Sequence, residues 1–298
     1  MDLNDLLGTI FSFENYAELL PLVTNSLIAG AILGLVGGLV GMFVMMRDMA
    51  FAVHGIAELS FAGAALALLL GANVVWGSVA GALAAALVLG LMGASAKDRN
   101  SITGVLMPFG LGLGILFLAL YEGRSANKFG LLTGQIVAVD SVQLGLLAGC
   151  AVVVVIGLAV IWRPLTFASV DPAVAAARGV PAGRLSVVFM LLLGLSVALS
   201  IQVVGALLVL SLLVTPAAAA LRVTSRPTLT VVLSVAFAVL SVVGGILLAL
   251  AGRLPISPYV TTISFLIYLA CRLIGWRRTV AASRARRPKP VAGPAPVR

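Results

Sequence analysis

The sequence predicts an all-α fold, a polytopic transmembrane helical bundle of about nine spans, and three observations predict it. Of 298 residues, 61% are hydrophobic and only 10% are charged, against roughly 25% charged in a soluble globular chain. Mean hydropathy is +1.19. Several apolar runs approach the roughly 20 residues that a helix needs to cross a bilayer. A β-barrel fits poorly, because its strands alternate apolar and polar residues over about ten positions.

The approximate spans are 20–46, 51–71, 74–94, 102–121, 140–162, 184–201, 204–221, 230–251 and 255–275. The first reads GAILGLVGGLVG from Gly30 to Gly41. Its glycines let backbones approach closely, which marks a helix packed within the chain in preference to a dimer-specific contact. The second, FAVHGIAELSFAGAALALLLG, holds the only histidine, His54, four residues before Glu58. The third is a plain apolar run. The fourth holds Pro108, which removes a backbone donor and can kink it, and GLGLG from Gly110 to Gly114 repeats the close-packing signal more weakly. The fifth starts at Asp140, read as an exposed helix-start charge more than as an attractor of cations.

Between the fifth and sixth spans, FASVDPAVAAARGVPAGR (167–184) encodes a short extra helix. Asp171 can cap it, Pro172 suits its first position, Arg178 suits its C-terminal dipole and Gly179 can end it. The stretch 184–221 is too long for one crossing at about 1.5 Å per residue. Only Ser200 to Gln202 interrupts it, so a tight turn is expected there. Thr215-Pro216 marks a further break in the seventh span.

Three regions result: an extracytoplasmic segment 1–19, a transmembrane domain 20–276 and a basic, disordered tail 277–298. The first twenty residues carry four acids and no basic residue, a poor match to a cleaved signal peptide. Cys150 and Cys271 lie in apolar runs and read as small core residues. The net charge of +9 does not imply nucleic-acid binding, because eight of nineteen basic residues lie from Arg272 onward, where they set topology or touch membrane lipid.

Nine crossings put the termini on opposite sides, and the basic residues choose the orientation. With the N-terminus outside, the cytoplasmic set is Arg47, Lys97, Arg99, Arg163, Arg178, Arg184, Arg222, Arg226 and the C-terminal cluster. The outside set is only Arg124, Lys128 and Arg253. The reading is a multi-pass protein of the cell (plasma or inner) membrane with a cytoplasmic C-terminus.

His54 and Glu58 share one helical face at i and i+4. An ionisable pair inside a span is costly in lipid and faces protein or an aqueous cavity. Imidazole and carboxylate both ligate divalent transition metals, but one helix cannot complete a shell. Three readings stay open: metal contact or passage, a structural pair satisfied by hydrogen bonds, and a proton relay. Ser60, Asn25, Ser211 and Thr215 are weaker pore-lining candidates, and Gln202 lies near an outer end. No GxxxxGK[ST] phosphate loop occurs, and no hydrolase triad or closed metal site is evident. The chain is therefore read as no enzyme, and ATP-powered transport would need a second polypeptide.

Five pieces in order, MMRDMAFAVHGIAELSFAGAALALLLG (45–71), KDRNSITGVLMPFGLGLGILFL (97–118), FGLLTGQIV (129–137), FASVDPAVAAARGVP (167–181) and VVGALLVLSLLVTPAAAALR (203–222), carry a family resemblance. The chain resembles the membrane permeases of zinc/manganese-type ABC importers. The resemblance implies a homodimeric permease with the pathway between two copies of the chain. It implies two cytoplasmic ABC ATPase subunits that alone bind ATP, an extracellular metal-binding protein, and no tightly bound cofactor. Asp171, Ala175, Arg178 and Gly179 then fall on the helix that meets the ATPase. Val204, Gly205, Leu208, Thr215 and Pro216 match the family's seventh-helix motif and, with Ser60, shape the pathway. Typical members carry Asp and then His where this chain has His54 and Glu58, and Pro-Gly where it has Ala62-Gly63. The expected cargo is a divalent metal, zinc or manganese, with the histidine leaning toward zinc. An ion-coupled secondary transporter relaying protons or cations through His54 and Glu58, and a nontransporting scaffold, are the alternatives.

Overall fold

Long apolar runs bounded by capping residues give a structure built from helices. The computed structural model describes residues 16–93, 96–123, 139–205, 208–251 and 255–285. A short helix α1 (Tyr16–Leu19) and a 3-10 turn (Leu20–Val23) lead into α2 (Thr24–Met46). Then come α3 (Ala50–Leu69), α4 (Val74–Met92), α5 (Ala96–Leu120) and α6 (Ser141–Val170). The six-residue α7 (Pro172–Ala177) precedes α8 (Ala182–Val204). Two short helices, α9 (Val209–Leu213) and α10 (Thr215–Val223), are followed by α11 (Pro227–Leu250) and α12 (Ile256–Ala285). Among the described residues there is no strand. Among the described residues eight helical stretches are long and apolar enough to cross a membrane, and Val209–Val223 is a shorter apolar one. Together they occupy the nine expected positions.

Boundaries differ from those expected in several places. The turn expected at Ser200–Gln202 lies instead at Gly205, where φ is +86°. Ser200 stays helical because its hydroxyl donates to the Ser196 carbonyl at 2.8 Å, so its polarity does not end the helix. The positive φ that reverses the chain needs a glycine. Helix α6 runs past Pro164 to Val170, and the hydroxyls of Thr166 and Ser169 bond back to the carbonyls of Trp162 and Leu165, so their polarity does not end it. Helix α12 continues to Ala285, beyond the boundary placed at 276. Residues 286–298, segment 129–137 and the outside-set residues Arg124, Lys128 and Arg253 lie outside the described residues.

The core sits where α2, α6 and α8 meet. The fully buried Phe43 ring makes edge-on contacts with Trp162 at 4.9 Å and Phe189 at 6.0 Å between centroids. Helix α3 is enclosed by α4 and α5, with α8 and α9 also against it, and α2 packs along α11. The glycine run of α2 is used inside the chain. A methyl on Gly34 would meet the Val239 backbone at 2.7 Å, and one on Gly38 would meet Val235 Cα at 2.5 Å. Ser234 of α11 donates to the Gly38 carbonyl at 2.8 Å across this contact. We expect Gly38→Ala to destabilise the chain by about 1–3 kcal/mol through overpacking, read as a lower thermal unfolding midpoint in detergent. Phe109, Ile115, Val152, Ile156 and Val160 are exposed on α5 and α6, an apolar exterior that suits a bilayer.

Candidate functional site

Helix α3 carries the ionisable pair into the bundle. His54 Nε2 and Glu58 Oε1 lie 3.7 Å apart, too far for a direct hydrogen bond. The His54 side chain is 31% exposed and the Glu58 side chain 12%. Neither has a hydrogen-bond partner among the described residues, so the pair is neither sealed nor satisfied by neighbours. Metal bonds of about 2.0–2.2 Å arranged tetrahedrally put neighbouring ligand atoms about 3.4 Å apart. The observed spacing is within a few tenths of that edge. Among the described residues no third His, Cys, Asp or Glu joins them, so the pair by itself offers two ligands and open positions.

The neighbours of α3 fix where these two side chains stand. Gly110 of α5 lets the two helices touch, since a methyl there would lie 3.0 Å from the Glu58 carbonyl carbon. Gly114, one turn on, faces the Phe61 ring in the same way. This places α5 as the backing of Glu58. The i, i+4 glycine spacing in GLGLG signalled a close contact, but only the fold identifies its partner.

Ser60 is fully buried, and its hydroxyl donates to the Ser78 carbonyl at 2.9 Å while sharing a 2.8 Å bond with the Ser78 hydroxyl. It ties α3 to α4. Ser60→Ala would leave the Ser78 hydroxyl without this partner, at about 1–3 kcal/mol. The expected result is a lowered unfolding midpoint with ligand affinity at the His54–Glu58 pair unchanged. Changed affinity with an unchanged midpoint would instead give Ser60 a direct role.

Gly205 and Leu208 are both buried at the break between α8 and α9, and the Leu208 N–H donates to the Gly205 carbonyl at 3.3 Å. Thr215 and Pro216 open α10 after the break at Val214, where a proline lacking its donor is tolerated. Helix α9, between the two breaks, packs on α3. Ser211 contributes its carbonyl to the Ser264 hydroxyl at 3.2 Å. Asn25 is half-buried and donates to the Val139 carbonyl at 3.3 Å. Asp140 is the N-cap of α6, accepting from the Gln143 N–H at 2.7 Å. The side chains of Gln202 and Val204 lie outside the described residues.

Helix α7 has the ends that its residues encode. Asp171 accepts from the Val174 N–H at 3.0 Å, and Pro172 follows it. At the other end, Gly179 at φ +78° donates to the Ala176 carbonyl and Val180 to the Ala175 carbonyl, both at 3.0 Å. This paired closure uses carbonyls that would otherwise be orphaned. Asp171, Arg178 and Gly179 are exposed, whereas Ala175 is fully buried and seats the helix on the bundle. The surface open to a partner is therefore the face with Val174, 45% exposed, and Arg178.

Comparison with known proteins follows the same architecture. The manganese transport system membrane protein MntC of Halalkalibacterium halodurans is 29% identical over 74% of this chain and 76% of its own length. The high-affinity zinc uptake system membrane protein ZnuB of Haemophilus influenzae is 27% identical over 75% of this chain and 86% of its own. In the solved structure of PsaBC from Streptococcus pneumoniae in complex with Fab, one chain shares the fold, with a TM-score of 0.79 at 24% identity, over 90% of this chain and 99% of that one. The ABC 3 transport family matches residues 20–275, nearly the whole helical bundle, and the chain belongs to it.

Proposed function

We propose that this chain is the membrane permease subunit of an ATP-driven importer that carries a divalent transition metal, zinc or manganese, into the cell. The carrying observation is the His54–Glu58 pair, 3.7 Å apart and partly open on a membrane-spanning helix. Relatives named for manganese and zinc transport support the cargo class. Family membership favours this reading over a proton-coupled secondary transporter or a scaffold. The metal is cargo. The pair replaces part of its hydration shell, and two open-sided ligands keep binding weak enough for release.

Two copies of the chain form the pathway between them. Two cytoplasmic ATPase subunits dock at the exposed face of α7, and an extracellular metal-binding protein delivers the ion. The N-terminus lies outside and the C-terminus inside, as the basic residues direct. ATP-driven closure of the partners switches the permease between outward and inward access, a population shift rather than covalent chemistry. Uptake of zinc and of manganese, measured separately in vesicles holding the whole complex, tests this reading. Flux of neither metal would reject the cargo, and flux without the ATPase would reject the power source.

A further inference from the structure

The end of the bundle that carries α7 holds a second polar site. A cavity of about 410 Å³ is lined there by Arg47 and Asp48 of the α2–α3 turn, Arg99 of α5, Ser169 of α6, and Ala182 and Gly183 of α8. Arg99 is only 6% exposed. The Nε atoms of both arginines are buried without a hydrogen-bond partner. Their remaining bonds are long: Arg99 Nη2 donates to the Arg47 carbonyl at 3.3 Å, and Arg47 Nη1 donates to Ser169 Oγ at 3.5 Å. Burial, and then the like charge of Arg99, pushes the Arg47 guanidinium down from its ordinary value. Asp48, the one carboxylate among the described lining residues, is exposed; its charge acts on Arg99 from beyond ion-pair distance and leaves the arginine donors unfilled.

Arg99 is buried and Arg47 half-buried, with the Arg47 guanidinium 5.9 Å over the Phe189 ring; charged groups held there with donors unused are costly, and buried charges are normally paired. The same cavity receives the first turn of α8, a 23-residue helix whose N-cap Pro181 offers no side-chain acceptor. The Ala182 N–H is taken by the Val180 carbonyl at 2.8 Å, so the N–H groups of Gly183 and Arg184, with the helix dipole, add to the positive potential. We propose that this cavity binds a phosphate-type oxyanion, supplied either by a lipid headgroup or by free phosphate, with Arg47 and Arg99 as its ligands. Guanidinium matches the tetrahedral oxyanion through paired hydrogen bonds, and the volume admits the group with its ester substituents. Pro172 also lines the cavity, so the bound anion ties the start of α7 to the α2–α3 turn.

The test uses the full-length chain in neutral detergent. One arm titrates inorganic phosphate; the other titrates phosphatidylglycerol into mixed micelles. Thermal unfolding and phosphorus NMR line width read both. The expected result is saturable binding to the wild type, with the apparent Kd raised roughly tenfold or more in Arg99→Gln and in Arg47→Gln, as loss of a charged hydrogen bond requires. Response to phosphatidylglycerol alone assigns a lipid headgroup, and response to inorganic phosphate assigns the free anion; either supports the proposal. No saturable response of the wild type to either probe overturns it, whether or not the variants fold. So does binding that both glutamine variants retain. Loss of ATPase co-purification in those variants, with no phosphate response in the wild type, would assign the arginines to a partner's carboxylate and also overturn it.

Discussion

Replacing His54 and Glu58 together by alanine is expected to lower metal uptake by roughly 100-fold or more, since even groups that only orient a metal ligand are worth about 10–100-fold. The same variant is expected to insert and unfold at or above the wild-type temperature. Glu58 is largely buried and has no hydrogen-bond partner among the described residues. Removing a carboxylate in that position relieves a desolvation penalty instead of breaking a bond. A pair kept for stability would show the opposite: lower stability with flux intact. Uptake in proteoliposomes carrying the complete complex decides between them, and unchanged flux removes the pair from the pathway. A second variant, His54→Asp with Glu58→His, installs the acid-then-imidazole order of typical family members. Retained uptake with altered zinc-to-manganese preference is the expected outcome, because the ligand face is preserved while charge moves one turn along α3.

Asp171→Arg is expected to abolish most co-purification of the ATPase subunits. The change acts twice. It removes the acceptor that holds the Val174 N–H at 3.0 Å, a cap worth about 1 kcal/mol, and it puts a positive charge at the positive end of the α7 dipole. Asp171→Asn isolates the carboxylate's own charge from both effects, because asparagine still caps but carries no charge. Attachment retained in Asn and lost in Arg assigns the role to helix integrity and charge reversal. Attachment lost in both assigns it to the carboxylate itself. Equal recovery of the partner in Asp171→Arg would remove α7 from the docking surface.

The bilayer-crossing helices were legible because a long apolar run has few alternatives to a helix in lipid. Helix α7 was legible for a more local reason: Asp171-Pro172 and Arg178-Gly179 prescribe its two ends within ten residues of each other. The chain reversal was misplaced at Ser200–Gln202 because polarity in a span reads as an ending, whereas Ser200 satisfies itself a turn back at Ser196. The sharp geometry at Gly205 depends on one backbone angle that composition does not display. The ionisable pair on α3 was legible from spacing, but its backing by Gly110 was not, since that contact joins residues far apart in the chain. Ser60 stood out for its polarity, yet its partner Ser78 emerged only when α3 and α4 came together. The Arg47–Arg99 cavity is of the same kind, assembled from the α2–α3 turn and several helices, none of which signals it alone.

The contact between α2 and α11 has a mechanical consequence. At Gly34 and Gly38 the two helices meet backbone to backbone, with no long side chains in between to repack. Such a seam resists sliding, so these helices travel as one rigid body. Flexing must then concentrate on either side of α9, at Gly205 with its positive φ and at Thr215-Pro216, where the proline supplies no N–H to the helical ladder. Helix α9, five residues long, lies between these two joints and rests on the helix bearing His54 and Glu58. A small rotation there would reshape the ions' surroundings while leaving the rest of the bundle in place.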